Sequence, residues 1–147
     1  MQWNQKKINN HIKAAKLLNK IKDEVLKYIA ENYNITEYEV QQFILKQFKL
    51  YKLKTDNIPP IVAFRQNTSF VHYFPSQYSK KITHNSLIMI DIWARLNQED
   101  SPFADITWMA YKGKRAPDKI KKVFNNVVEA RDKTVNFIGS SLKIRHW

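Results

Sequence analysis

Two aspartates stand in surroundings that disfavour them. Asp91 interrupts the apolar run Leu87-Ile88-Met89-Ile90-Asp91-Ile92-Trp93-Ala94, and Asp105 lies within Phe103-Ala104-Asp105-Ile106-Thr107-Trp108. An ionised carboxylate taken out of water is strongly unfavourable unless a partner compensates its charge. A single such residue reads as a hydrogen-bonded structural acid, but two in facing strands read differently. The segment between them, Asn97 to Pro102, has turn composition. A hairpin centred on Gln98 makes Asp91 and Asp105 direct partners on one face, with side chains roughly 5 Å apart. Two buried carboxylates at that separation cannot both stay ionised unaided. A divalent cation between them resolves the conflict, since hard cations take carboxylate oxygens. A dyad sharing one proton is the competing explanation.

His72 is the remaining candidate for chemistry. It falls in the strand-like segment Phe70-Val71-His72-Tyr73-Phe74, where it is either a packed core histidine or a catalytic one. His11 falls in a helical stretch, His84 in a polar turn and His146 in the C-terminal tail, and none of them is assigned a role.

Elements on both sides must hold these residues. Ile8, Ile12, Ala15, Leu18, Ile21, Val25 and Ile29 recur at three- and four-residue steps and predict an amphipathic helix over about 7–32. Thr36-Glu37-Tyr38-Glu39 is a capping-box sequence, with Thr36 as the cap and Glu39 reaching back. It opens a second helix over about 37–52 whose Val40, Phe43, Ile44 and Phe48 face inward. Pro59-Pro60 excludes a helix there. Strands follow within about 60–111: Ile61 to Phe64, Phe70 to Phe74, Leu87 to Arg95 and Phe103 to Tyr111. Pro117 suits a first helical turn. Ile120, Val123, Phe124, Val127 and Val128 then predict a helix over about 117–138 that ends at Gly139, followed by a tail over 139–147. The expected fold is α+β, one domain over 1–147.

The chain's 147 residues and 44% hydrophobic content are enough for a packed core and exclude a disordered polymer. With no cysteine, thiolate metal sites and disulfides are excluded. No signal-peptide pattern opens the sequence and no apolar run could span a bilayer, so a cytoplasmic protein without a membrane partner is expected. The net charge of +12 raises nucleic acid as a partner. Yet Lys20, Lys22 and Lys27, like Lys119, Lys121 and Lys122, sit on helices whose other face is apolar, which fits solvated helix faces.

With these motifs in order, the sequence resembles the "pita-bread" metallopeptidases: methionine aminopeptidases, Xaa-Pro aminopeptidases and dipeptidases, and creatinase. The segments that carry the resemblance are Ile58 to Phe64, Val71-His72-Tyr73-Phe74-Pro75, Leu87 to Ala94 and Ala104-Asp105-Ile106-Thr107-Trp108. The Xaa-Pro branch matches best, and the likeness runs from the second helix to about Ile138. The resemblance implies an antiparallel sheet backed by helices, the N-terminal half of a pita-bread catalytic domain. It implies two divalent ions (Mn, Co or Zn) in the complete site, with Asp91 chelating one and Asp105 bridging both. It places His72 beside a peptide substrate, to orient the scissile bond or shuttle a proton. The family completes its ligand set with a histidine and two glutamates beyond this point, and neither His146 nor any residue after Glu129 supplies them. Arg65 replaces a usual glycine after Phe64, and Asn85-Ser86 replaces a Gly-Asp turn. The expectation is a metallopeptidase-like domain, truncated and inactive alone, whose missing half comes in trans or whose open edge pairs in a homodimer. The alternative is a non-catalytic binding module for protein or nucleic acid.

Overall fold

The computed structural model describes residues 3–143, and the chain divides into two compact units, residues 1–113 and 114–147. His146 lies outside the described residues.

In the first unit, helix α1 spans Gln5–Glu31. The Asn4 side chain caps it by accepting from the Lys7 amide. Its buried stripe is Ala14, Leu18, Ile21, Val25 and Ile29. Ile8 and Ile12, at the start of the expected stripe, are exposed. Helix α2 spans Glu37–Leu50 and opens on the expected capping box. Thr36 Oγ1 accepts from the Glu39 amide, and the Glu39 carboxylate accepts from the Thr36 amide. Val40, Ile44 and Phe48 are buried, and Phe43 stacks on Tyr28 of α1 with ring centroids 4.2 Å apart.

Four strands form one antiparallel sheet: β1 (Leu53–Lys54), β2 (Ile61–Phe64), β3 (Ser86–Leu96) and β4 (Ala104–Lys112). β3 is its axis. β2 and β4 flank the same residues of β3, and β1 pairs with its last two, Arg95 and Leu96. Burial alternates strictly along β3. The even residues Ile88, Ile90, Ile92 and Ala94 join the core formed with α1 and α2, while the odd residues, Asp91 among them, face the other way. Each buried Ile or Val removes about 1.5–3 kcal/mol worth of side chain from water, so this alternation fixes which face Asp91 occupies.

Three expectations change. Phe70 to Phe74 is not a strand. The chain leaves β2 through a 3-10 turn, Arg65–Ser69, and continues through a turn at Val71-His72. His72 adopts φ 59° there, in the left-handed region that a strand excludes. The second helix ends at Leu50 instead of continuing to 52, because Lys52 turns to φ 54° and hands the chain to β1. In the second unit, helix α3 (Asp118–Lys143) runs through Gly139, which costs a helix only about 1 kcal/mol when nothing else stops it. Along α3 the apolar stripe is exposed at Val123, Phe124, Val127, Val135 and Ile138.

Candidate metal centre

The hairpin register decides how the aspartates meet. Asp91 pairs with Thr107, and Asp105 pairs with Trp93. The two acids are therefore diagonal neighbours on one face, not direct partners as a turn centred on Gln98 predicts. The true centre is one residue later, at Glu99. Moving the centre by one residue slides the pairing by two, and a two-residue slide keeps every side chain on its face. The inward-outward pattern is thus satisfied equally by both registers, and only the loop geometry separates them. Diagonal positions lie roughly 7–8 Å apart, farther than the direct partners that a turn centred on Gln98 would have made of them.

Burial is also lower than the apolar runs suggest. Asp91 is half-buried and Asp105 is exposed. Asp91 Oδ1 accepts a hydrogen bond from Thr107 Oγ1 at 2.7 Å. The Asp105 carboxyl is pushed above its ordinary range, first by partial desolvation and then by the charge of Asp91, with the Ile106 amide opposing. Between them Trp93 donates from Nε1 to Asp56 Oδ1 at 3.0 Å, and that hydrogen bond holds the Asp56 carboxyl below its usual range. The face therefore presents two mutually repelling carboxylates that, among the described residues, have one side-chain donor between them.

His72 does not join this pair. It is exposed on its turn, and among the described residues no three His, Cys, Asp or Glu side chains come together that could hold a metal. His11 is tied to the hairpin loop, with Nδ1 2.9 Å from the Phe103 carbonyl, and His84 lies against Tyr33.

The acid most completely enclosed by the fold is one that sequence reasoning treated only as part of a helix start. Glu37, in the first turn of α2, is 1% exposed. Its carboxylate accepts from the Phe64 amide at 2.6 Å, from Asn67 Nδ2 at 2.9 and 3.1 Å, and from Tyr73 Oη at 2.7 Å. It thereby pins the end of β2 and the following loop to α2. Burial, and then the hydrogen bond to Glu37, push the Tyr73 phenol up, so it remains a donor. Nearby, Gln41 Nε2 donates to the Pro60 carbonyl at 2.8 Å. An acid in a first helical turn ordinarily complements the helix dipole. The sequence carries no local signal for this role, because Asn67 and Tyr73 lie 30 and 36 residues away from Glu37.

Comparison with known proteins bears on the whole chain. Residues 9–144 match the Metallopeptidase family M24. The chain belongs to that family. Solved structures with the same fold include an X-Pro aminopeptidase from Thermotoga maritima MSB8, with 22% identity and a TM-score of 0.77 over 90% of this chain and 35% of that one. A recombinant prolidase from Thermococcus sibiricus matches with 25% identity and a TM-score of 0.72, over 90% of this chain and 34% of that one. An Xaa-Pro dipeptidase from Bacillus anthracis matches with 21% identity and a TM-score of 0.72, over 86% and 34% respectively. The chain thus spans about a third of the length of these proteins. Comparison with curated proteins finds no match. The M24 chain is an α+β domain corresponding to half of the pita-bread fold of the prolidases, and a metallopeptidase-like one. None of its described helices is long and apolar enough to cross a membrane.

Proposed function

We propose that this M24 chain is the N-terminal half of an Xaa-Pro-type catalytic domain, and that Asp91 and Asp105 are two carboxylate ligands of a dinuclear site. The observation that carries the reading is their shared face on adjacent strands, where Asp105 is held partly protonation-prone by desolvation and by Asp91. Such a pair fits a divalent cation: its oxygens are hard donors, and a positive ion removes the repulsion that the protein itself leaves standing. Mn²⁺, Co²⁺ or Zn²⁺ would supply Lewis acidity toward a peptide carbonyl and an activated water.

The chain's own contribution is positional. Thr107 orients one oxygen of Asp91, and Trp93, opposite Asp105 and anchored on Asp56, walls the acid on one side. His72, on an exposed turn, is proposed to contact the peptide substrate and not the metal. Two carboxylates are half of what a dinuclear site needs, so residues 1–147 by themselves are expected to show no turnover, and the peptide chemistry needs ligands beyond these two.

Calorimetric titration with MnCl₂ tests the metal assignment. Weak binding that disappears in Asp105→Asn is expected. A submicromolar two-ion isotherm would show a complete ligand set, and no binding at millimolar metal would remove the assignment altogether. An assay with Xaa-Pro peptides and Mn²⁺ tests the incompleteness: groups that act as a unit lose nearly all activity when half are missing. Turnover by the lone chain that is lost in Asp91→Ala would overturn it.

A further inference from the structure

A second site is independent of the carboxylate pair. A cleft of about 280 Å³ opens between the start of α2 and the loop after β2, lined among others by Glu37, Arg65, Tyr73, Ser76, Ser79 and Lys80. Glu37 forms part of its wall, but its oxygens are engaged by Phe64, Asn67 and Tyr73. The two cations are not engaged. Neither Arg65 nor Lys80 takes part in any ion pair among the described residues. Two cations face one carboxylate, so the cleft is net positive, and the hydroxyls of Ser76 and Ser79 also line it, while the Tyr73 proton is already donated to Glu37.

Arg65 also holds an unfavourable backbone. Its φ of 55° is left-handed, where an L-residue with a Cβ is disfavoured and glycine is not. No hydrogen bond from its guanidinium offsets that strain among the described residues. Strained residues that carry an unused charge into a cleft are a mark of ligand sites. A planar guanidinium, an ammonium and the two serine hydroxyls are groups that recognise a small oxyanion.

We infer that this cleft binds an oxyanion, a carboxylate or a phosphate group, with Arg65 as its principal donor and Lys80 as the second charge.

The test is an amide NMR titration of the full 147-residue chain, with sodium phosphate in one arm and sodium succinate in the other. Sodium chloride keeps ionic strength constant throughout. Saturable shifts at Arg65, Asn67 and Ser79 are expected in at least one arm, and the responding arm identifies the source of the oxyanion. Arg65→Gly should weaken that binding about tenfold or more, the usual worth of a charge-assisted hydrogen bond. The same variant relieves the backbone strain, so its melting temperature should equal or exceed that of the wild type, which separates loss of the ligand from loss of the fold. Lys80→Met should weaken binding less. The inference is overturned if neither anion produces saturable shifts. It is equally overturned if both variants bind as the wild type does.

Discussion

Glu37 and the Asp91–Asp105 pair are acids of the same small unit, and the fold treats them in opposite ways. Glu37 is enclosed and receives hydrogen bonds from a backbone amide, an amide side chain and a phenol, all supplied by its own chain. The pair lies on the outward face of the sheet, and Thr107 is its single side-chain donor among the described residues. A carboxylate saturated from within has a structural role and has no capacity left for a ligand. A carboxylate pair that repels itself and finds few internal donors is built for something that comes from outside. Burial alone would have ranked these sites the other way round, since the most buried acid is the one with the least chemistry to do.

The largest effect should come from breaking the saturated site. Glu37→Ala leaves the Phe64 amide, Asn67 and Tyr73 without their acceptor in a buried place. Hydrogen bonds to a charged group contribute about 1.5–3 kcal/mol each, and stranded donors add a desolvation cost. A loss of about 3 kcal/mol or more is expected, or about 10 °C in melting temperature for a chain of this size. The double variant Asp91→Asn, Asp105→Asn should instead melt within a few degrees of the wild type in the absence of metal. If the two sites prove equally important to stability, the division between structural and ligand-binding acids fails.

Which of this was legible in the sequence follows from how local each determinant is. The α1 stripe and the Thr36–Glu39 box are set by neighbours three and four residues apart; the box stands as read, and the stripe stands from Leu18 onward while Ile8 and Ile12 are exposed. The Asp91–Asp105 face was legible because strand alternation has a period of two. The register was not, because a two-residue slide leaves that alternation unchanged and the Asn97–Phe103 connection carries no composition that sets its length. Phe70 to Phe74 alternated well enough to suggest a strand, yet the backbone leaves the sheet at Arg65 and turns left-handed at His72. Glu37 was overlooked because its partners lie 27, 30 and 36 residues away. Nothing local distinguishes it from an acid that merely faces a helix dipole.

Glu39 sharpens the comparison, because it is exposed like Asp105 yet supplied with donors like Glu37. The Thr36 amide and hydroxyl hold its carboxyl below the usual range, amide first. The supply of donors therefore outweighs desolvation at Glu39, whereas at Asp105 desolvation prevails. Thr36→Ala removes the cap and should cost about 1 kcal/mol at neutral pH. For a carboxylate with a depressed folded value, the stabilisation is present above the unfolded value and is lost as pH falls through the folded one. Thermal melts should thus show the wild-type advantage over Glu39→Ala shrinking on acidification below pH ~4. An advantage that stays constant with pH would mean the capping box acts through the helix backbone alone.

Asp105 should show the smallest effect, and of the opposite sign. Its folded value is raised, mainly by desolvation and then by Asp91. A carboxylate raised in the folded state binds its proton more tightly there than in the unfolded chain. Its relative stabilisation is fully present below the unfolded value and is lost as pH rises through the folded one. At neutral pH the ionised, metal-free pair therefore weighs against the fold. Asp105→Asn removes that charge, and because the site is exposed and screened the gain should be only a few tenths of a kcal/mol. The gain should be present at pH ~7 and vanish below the ordinary aspartate range. Adding Mn²⁺ should reverse the order, stabilising the wild type through binding to the folded state and leaving Asp105→Asn unchanged. A variant that is less stable than the wild type at neutral pH without metal would mean that Asp105 is satisfied from within, as Glu37 is, and the contrast between the two sites would not hold.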